Sequence, residues 1–443
     1  MTSPTHAAAE QHATRRFFHP EMETISREAL ETLQFQRLSR IIRIAYAKGA
    51  LIRAKWDAAG VTPDDIRSLA DFRRKVPFIT KDDLREWTAR TGDPFGGLLC
   101  VERSALRQVT GTSGTTGDPT LLADTKITPP TGESVFNRYF WEAGLRPGDA
   151  VVICIPTTRG PALKLAMDFG LVPLLLDHDP RELPRLVELA RTYKPKAMLI
   201  MSTPLVIGLE KLETETGVDL RAIFEPMKLV AFGGEAPGGR ALMLAERWGM
   251  KIINLVNAGD SSVVLDCSAQ QGAHPWEDEL LIEHIDPQTL EQSADGEIGE
   301  LVVTTLDNDT DPLVRYRADD LVWLTRAPCQ CGRTHARYKV MGRAGDEVMV
   351  NGKCVLPRDV GPIVESFVET KAGLYQLVRP QRVLPALRVR VGYDGSPDLD
   401  SLRQRLSARI AEALGLPVDV ELCANEELLK QGPPHKIPRI VKS

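Results

Sequence analysis

The chain has 443 residues, 43% hydrophobic and 26% charged, with a formal net charge of −5. That length exceeds one ordinary core, so two or more domains are expected, and the mixed charge leaves no basic footprint for nucleic acid or an anionic membrane. The first thirty residues lack an apolar signal core and no stretch reaches the length of a membrane span, so a cytoplasmic protein without nucleic-acid or membrane partners is expected. Seven cysteines, an odd count in a long chain, argue against a secreted disulfide framework.

Residues 1–18 read as a loose tail. From Thr24 to Lys48, apolar residues at helical spacing (Leu30, Leu33, Leu38, Ile41, Ile42, Ala45) predict an amphipathic helix with Ser26 as its N-cap. Thr80-Lys81-Asp82-Asp83-Leu84 opens another. From Ala150 onward, short apolar runs alternate with helical stretches. Strands are predicted at Ala150–Ile155, Val172–Leu176, Ala197–Met201, Leu229–Phe232 and Ile252–Leu255, with helices at Glu182–Tyr193 and Arg240–Trp248. Such alternation marks a mainly parallel sheet covered by helices, an α/β fold. After Gly299 longer strands (Glu300–Leu306, Leu321–Thr325) suggest a β-rich subdomain, and Val348–Ser443 carries strand and helix patterns of its own. The expected organisation is a large N-terminal domain over 1–341, a hinge at 342–346 and a small mobile α+β domain over 347–443.

Thr112-Ser113-Gly114-Thr115-Thr116-Gly117-Asp118-Pro119-Thr120 is the most informative stretch. Hydroxyls, backbone N–H groups and glycines that allow close approach can wrap polyphosphate oxygens. No Gly-Lys-Ser/Thr follows, so this is not a Walker A loop. Composition alone would favour a mobile Gly/Thr-rich surface loop, because turn residues cluster in loops. The stretch, however, resembles the phosphate loop of adenylate-forming enzymes. The N-terminal runs PEMETISREALETLQFQRLSRIIRIAYAKGA and DAAGVTPDDIRSLADFRRKVPFITKDDLRE resemble the phenylacetate–CoA ligase branch of those enzymes. The likeness continues in order to the C-terminus.

That resemblance implies roles for individual residues. Thr112, Ser113, Gly114, Thr115, Thr116 and Gly117 would hold ATP phosphates. Phe232-Gly233-Gly234-Glu235 is similar to the loop beside adenine and the acyl group, with Gly234 and Glu235 on the nucleotide side. Tyr316-Arg317-Ala318-Asp319-Asp320-Leu321 resembles the motif whose last Asp binds ribose hydroxyls, here Asp320, since a carboxylate can accept both hydrogen bonds of a diol. Gly342-Arg343 is similar to the start of the hinge, with Arg343 reaching nucleotide oxygens, and Gly352-Lys353-Cys354-Val355-Leu356-Pro357 to the segment beyond it. His435-Lys436-Ile437-Pro438-Arg439 resembles the segment of the catalytic lysine, which makes Lys436 the candidate; a solvated tail lysine is the alternative. The acyl pocket would be lined by 155–160, 203–205, 232–234 and 256–259, including Thr157, Thr158, Phe232, Gly233, Ala258 and Gly259.

Cys267, His274, Cys329 and Cys331 supply three thiolates and an imidazole, a set that suits structural zinc. His335 is a rival for the histidine place, and ordinary buried cysteines are the alternative reading. Some members of the branch carry zinc at similar positions. Cys100, Cys154, Cys354 and Cys423 read as core or surface residues, and Trp276-Glu277-Asp278 as packing.

Two departures stand out. Where the branch has Tyr-Gly-x-Thr/Ser-Glu, this chain has Ala258-Gly259-Asp260-Ser261-Ser262, which loses the adenine-stacking Tyr and the Glu that helps hold Mg²⁺. Asp260 is the nearest carboxylate that could replace it. At the hinge, Gly345 stands where the branch has Asp. The expected activity is ATP- and Mg²⁺-dependent conversion of a small aromatic carboxylic acid to an acyl-adenylate, followed by transfer to coenzyme A. Two alternatives stay open: ATP-independent acyl transfer between coenzyme A and a carrier protein or amine, and a silent nucleotide- or acyl-binding homologue. An acyl carrier protein as acceptor and a homodimer are compatible with the sequence.

Overall fold

The structure is a computed structural model that describes residues 15–111, 121–125, 134–154, 162–227, 229–233, 235–381, 383–431 and 437–442. Helix α1 (Arg27–Lys48) begins where Ser26, in extended backbone, accepts the amide of Ala29 at 3.2 Å, the cap expected from sequence. Its face of Leu30, Leu38, Ile41, Ile42 and Ala45 is buried. Helix α2 (Lys81–Thr91) starts with a reciprocal capping box between Thr80 and Asp83 and ends at Gly92 in the left-handed region. Strands β1 (Gln108–Gly111) and β2 (Leu121–Asp124) pair antiparallel with Gly111 opposite Leu121. They flank the Thr112–Thr120 stretch, which lies outside the described residues.

Next comes a sheet of β3 (Ala150–Cys154), β4 (Val172–Leu176), β5 (Ala197–Met201), β6 (Leu229–Phe232), β7 (Lys251–Ala258) and β8 (Ser262–Leu265), in the order β4-β3-β5-β6-β7-β8. The run β3-β5-β6-β7 is parallel, so the chain must cross over between strands, and it does so through α3 (Leu183–Tyr193), α4 (Thr203–Thr216) and α5 (Gly239–Arg247). Val152, Met198 and Phe232 from the strands pack with Leu186, Leu205 and Leu244 from the helices and with Trp248 just beyond α5. The fold is α/β, as the alternation predicts.

The antiparallel region holds β9 (Leu280–Ile285), β10 (Ile298–Thr305), β11 (Tyr316–Thr325) and β12 (Arg337–Arg343), ordered β12-β11-β10-β9. Beyond it come β13 (Val348–Val350), β14 (Lys353–Val355), β15 (Tyr375–Val378), β16 (Val383–Leu384), β17 (Leu387–Tyr393), β18 (Val418–Ala424) and β19 (Ile440–Val441). These make two small sheets, β14-β13-β16 and β18-β17-β15-β19, whose apolar faces share a core with α6 (Pro357–Glu365) and α7 (Leu399–Leu414).

Two compact units result. One gathers Met1–Asp149, Thr157–Pro173 and Val256–Val340; the other gathers Ala150–Pro156, Leu174–Leu255 and Met341–Ser443. Residues 15–18, expected to be loose, are anchored within the first unit. The indole N–H of Trp141 donates to the Arg15 carbonyl oxygen at 3.0 Å, and the Phe18 ring sits 5.8 Å from that of Trp141. Aromatic burial outweighs the polar composition around them.

Candidate functional site

In the first unit, the turn between β7 and β8 carries the departure from the family pattern. The amide of Ser261 donates to the Ala258 carbonyl oxygen at 3.0 Å, and both central residues have positive φ, 55° at Gly259 and 61° at Asp260. Two-residue hairpin turns with both centres in this region match strand twist. A Cβ on Gly259 would lie 2.9 Å from Val303 Cγ2 and 3.0 Å from Ala318 Cβ, so glycine is required there twice over. Ala258 is fully buried.

Asp260 does not stand free for a metal ion. Its Oδ2 accepts from the Tyr316 hydroxyl at 3.2 Å and lies 3.2 Å from Lys81 Nζ, with side chains only 9% and 14% exposed. Lys81 Nζ is also 4.0 Å from Asp319 Oδ2. The hydroxyl of Ser262 donates to the Val263 carbonyl oxygen at 3.2 Å. An ammonium already neutralises the only carboxylate of the turn, and a serine hydroxyl is a poor Mg²⁺ ligand. The donor set of this turn does not suit Mg²⁺.

Further along β11, the pairing with β10 jumps: Glu300 faces Leu321, but Val302 faces Arg317. The extra residues form a bulge, with Asp319 at a φ of 63°. Bulges redirect side chains beside functional sites. Here the bulge contains Asp320, the expected ribose ligand, four residues beyond Tyr316 on the same strand. Arg317 is fixed beneath by a two-pronged ion pair to buried Glu300, at 3.0 and 2.6 Å. The β1–β2 hairpin is held by the buried Asp311 carboxylate, which accepts the Ala123 amide at 2.7 Å and the Asn308 side-chain amide at 2.8 Å.

The second unit places Phe232 wholly inside the sheet–helix core, so its ring serves packing, and Gly233 follows at the strand's end. Glu235 is tied to Arg439, whose Nε and Nη2 lie 2.9 and 2.8 Å from its Oε2. Arg343 closes β12; its carbonyl oxygen accepts the Asp346 amide at 3.1 Å in a turn where Gly345 has a φ of 90°. At the carboxyl ends of β3 and β5, His178 bridges the Cys154 carbonyl oxygen and the Ser202 hydroxyl, both at 2.7 Å, a buried pair not foreseen from sequence. Thr112, Ser113, Gly114, Thr115, Thr116, Gly117, Thr157, Thr158, Gly234 and Lys436 lie outside the described residues.

Cys267, His274, Cys329 and Cys331, distant in sequence, come together in the first unit with all ligand atoms within 4.8 Å of one another and all four residues buried. Cys267 Sγ and Cys329 Sγ are 3.7 Å apart, and Cys331 Sγ is 3.4 Å from His274 Nε2. Tetrahedral zinc with Zn–S near 2.3 Å would set sulfur atoms about 3.8 Å apart. His274 Nδ1 donates to the carbonyl oxygens of His335 and Ala336, each at 3.0 Å, which aims Nε2 at the thiols. The Cys267 contact and the neighbouring His274 hold the Cys331 thiol well below the ordinary thiol range. The residues fit zinc. His335 is engaged elsewhere: its Nδ1 accepts the Glu277 amide at 3.0 Å and its Nε2 donates to the Met22 carbonyl oxygen at 2.8 Å.

Around this loop the N-terminal segment is clamped. Arg16 donates to the Cys331 carbonyl oxygen at 2.6 Å, and Arg333 pairs with Glu23 at 2.6 Å, both side chains essentially unexposed. Glu277 takes Arg27 and Asp278 takes Arg138 in two-pronged pairs, and Arg138 lies over the Trp276 ring. Within the Trp-Glu-Asp run, Trp276 packs while Glu277 and Asp278 hydrogen-bond, the packing and hydrogen-bonding role read from sequence.

No protein-family model matches the chain. It is 30% identical to the phenylacetate–coenzyme A ligase of Thermus thermophilus over 95% of its own length and 96% of that protein's. It is 31% identical to the phenylacetate–coenzyme A ligase of Aromatoleum evansii over 77% of each. Among solved structures, a 2-hydroxyisobutyryl-CoA ligase in the postadenylation state, in complex with R3-HIB-AMP, superposes with a TM-score of 0.83 at 26% identity, covering 97% of this chain and 93% of that one. The chain belongs to the phenylacetate–coenzyme A ligase family of adenylate-forming enzymes.

Proposed function

We propose that this protein is an AMP-forming acid–thiol ligase: it activates a carboxylic acid with ATP as an acyl-adenylate and passes the acyl group to coenzyme A. The observation that carries this reading is the identity to phenylacetate–coenzyme A ligases along nearly the whole chain. We take the acid to be small and aromatic. An acyl carrier protein is the alternative acceptor to coenzyme A, and a homodimer and a cytoplasmic location are parts of the same proposal; no helix among the described residues is long and apolar enough to cross a membrane.

The roles follow from charge and placement. Thr112–Gly117 cradle the triphosphate, Asp320 accepts the ribose hydroxyls, and Arg343 and Lys436 offset charge as the carboxylate attacks the α-phosphate. This step needs position and electrostatics rather than a protein nucleophile. Lys81, paired with Asp260, whose carboxylate also accepts the Tyr316 hydroxyl, supplies a fixed positive charge beside the turn that lacks the family's metal-holding Glu. Residues 347–443 turn about 342–346 between the two half-reactions, with Gly345 easing the rotation. Cys267, His274, Cys329 and Cys331 would hold zinc, which when bound cross-links the loop and takes no part in the chemistry.

The test is acid-dependent pyrophosphate release from ATP with benzoate-, phenylacetate- and hydroxy-acid-like substrates, followed by mass detection of the coenzyme A thioester. Absence of both products with every acid overturns the ligase reading. The loss of the family Tyr and Glu at Ala258 and Ser262 favours one rival, ATP-independent acyl transfer; that rival requires loss of acyl-CoA to a carrier protein or amine without nucleotide.

A further inference from the structure

Arg439 is fixed from several sides. Its carbonyl oxygen accepts the Leu377 amide at 2.8 Å, and β19, which it leads into, lies parallel to β15. Its Nη1 donates to the carbonyl oxygens of Gly373 and Tyr375 at 2.9 and 3.2 Å, and its guanidinium lies 4.4 Å from the centre of the Tyr375 ring. The remaining edge meets Glu235, on the loop that leaves β6. Other contacts along this seam include polar ones: the Glu365 carboxylate accepts the Arg240 amide at 3.3 Å, and Lys371 lies 3.8 Å from Glu210. Ile437 is buried with Leu374 and Leu428, against Ile207 of α4.

We propose that Arg439 is a positioning residue whose ion pair with Glu235 seats the C-terminal segment against the β6 loop during acid activation and opens for acyl transfer. The proposal rests on the ligase reading above. Lys436 precedes Ile437 directly, and three residues reach at most about 11 Å, so anchoring Arg439 confines the lysine's range. The pair is neither dry nor loose, with side chains 23% and 13% exposed. Water at its edge can replace each partner, so it can open at small cost, whereas a fully buried pair could not. Two N–H groups of the guanidinium converge on the one oxygen Oε2, so the contact sets direction as well as distance.

The experiment separates the half-reactions in the full chain: acid-dependent pyrophosphate release, and conversion of supplied acyl-adenylate plus coenzyme A to thioester. Arg439→Met and Glu235→Gln are each expected to lower the first roughly 10- to 100-fold. Arg439→Met should leave the second within about twofold, and both should leave the melting temperature little changed. The exchanged pair, Glu235→Arg with Arg439→Glu, restores part of the first. Equal losses in both half-reactions, no loss in either, or an effect of one substitution without the other would overturn the positioning role. If the unaltered protein releases no pyrophosphate with any acid, the ligase reading falls and takes this proposal with it, a result distinct from an active protein indifferent to Arg439.

Discussion

Lys81 and Asp260 form an ion pair 3.2 Å long at the tip of the β7–β8 turn, with the Tyr316 hydroxyl on the same oxygen. A lysine at the first position of a helix opposes the helix dipole, so α2 gains nothing from it, and its partner lies across the fold. Lys81→Met is expected to cut pyrophosphate release roughly 10- to 100-fold. It should also destabilise the protein by about 1–3 kcal/mol, because Asp260 keeps only a phenol. Adding Asp260→Asn should recover stability, read by denaturant melts, without recovering activity. Full activity in Lys81→Met would show that this charge is idle.

Burial pushes the Asp311 carboxyl up to about 6, against hydrogen bonds from Ala123 and Asn308 that pull it down. Its ordinary value is 3.8, so between that value and about 6 the folded protein holds a proton the unfolded chain releases. The stability this contributes is complete below the lower value and is lost as pH rises through the upper one. Asp311→Asn keeps an acceptor for Ala123 and should flatten melting temperature against pH across that window. A wild-type slope in the variant would point to another group.

Metal analysis of the purified protein is expected to find about one zinc per chain, falling sharply in Cys331→Ser. Chelation should lower the melting temperature and speed proteolysis ahead of Arg27, because Arg16 and Arg333 tie that segment to the cysteine loop. Zinc well below one equivalent in the unaltered protein would refute the assignment.

Gly259→Ala meets both a positive φ and contacts under 3.1 Å with Val303 and Ala318. A loss of roughly 1–3 kcal/mol is expected. Gly345→Asp restores the family residue in open space but at a φ of 90°, so about 1 kcal/mol or slightly more of backbone strain is the whole effect. Calorimetry should rank the two in that order.

Much of the α/β sheet was legible because each strand is a short apolar run between turn residues. The expected spans Val172–Leu176, Ala197–Met201 and Leu229–Phe232 coincide with β4, β5 and β6. β9 was not, since its LLIEHI run carries Glu283 and His284 in a fully buried strand. Arg315 neutralises Glu283 at 3.1 and 2.8 Å, and the Val322 carbonyl oxygen engages His284 at 3.2 Å. Partners that come from elsewhere in the chain leave no local period to read. At the candidate site, the cysteine and histidine spacing announced a cluster, whereas the Lys81–Asp260 and Arg439–Glu235 pairs did not. The one available signal was a lysine placed against a helix dipole.

The clamp of Glu23 by Arg333 and of Met22 by His335 joins residues more than three hundred positions apart. During synthesis the segment ahead of α1 must therefore wait for these partners until the cysteine-bearing loop has left the ribosome. A chain interrupted before residue 329 would leave Met22 and Glu23 without these partners, so that segment is fastened only after the loop that closes on it has been made.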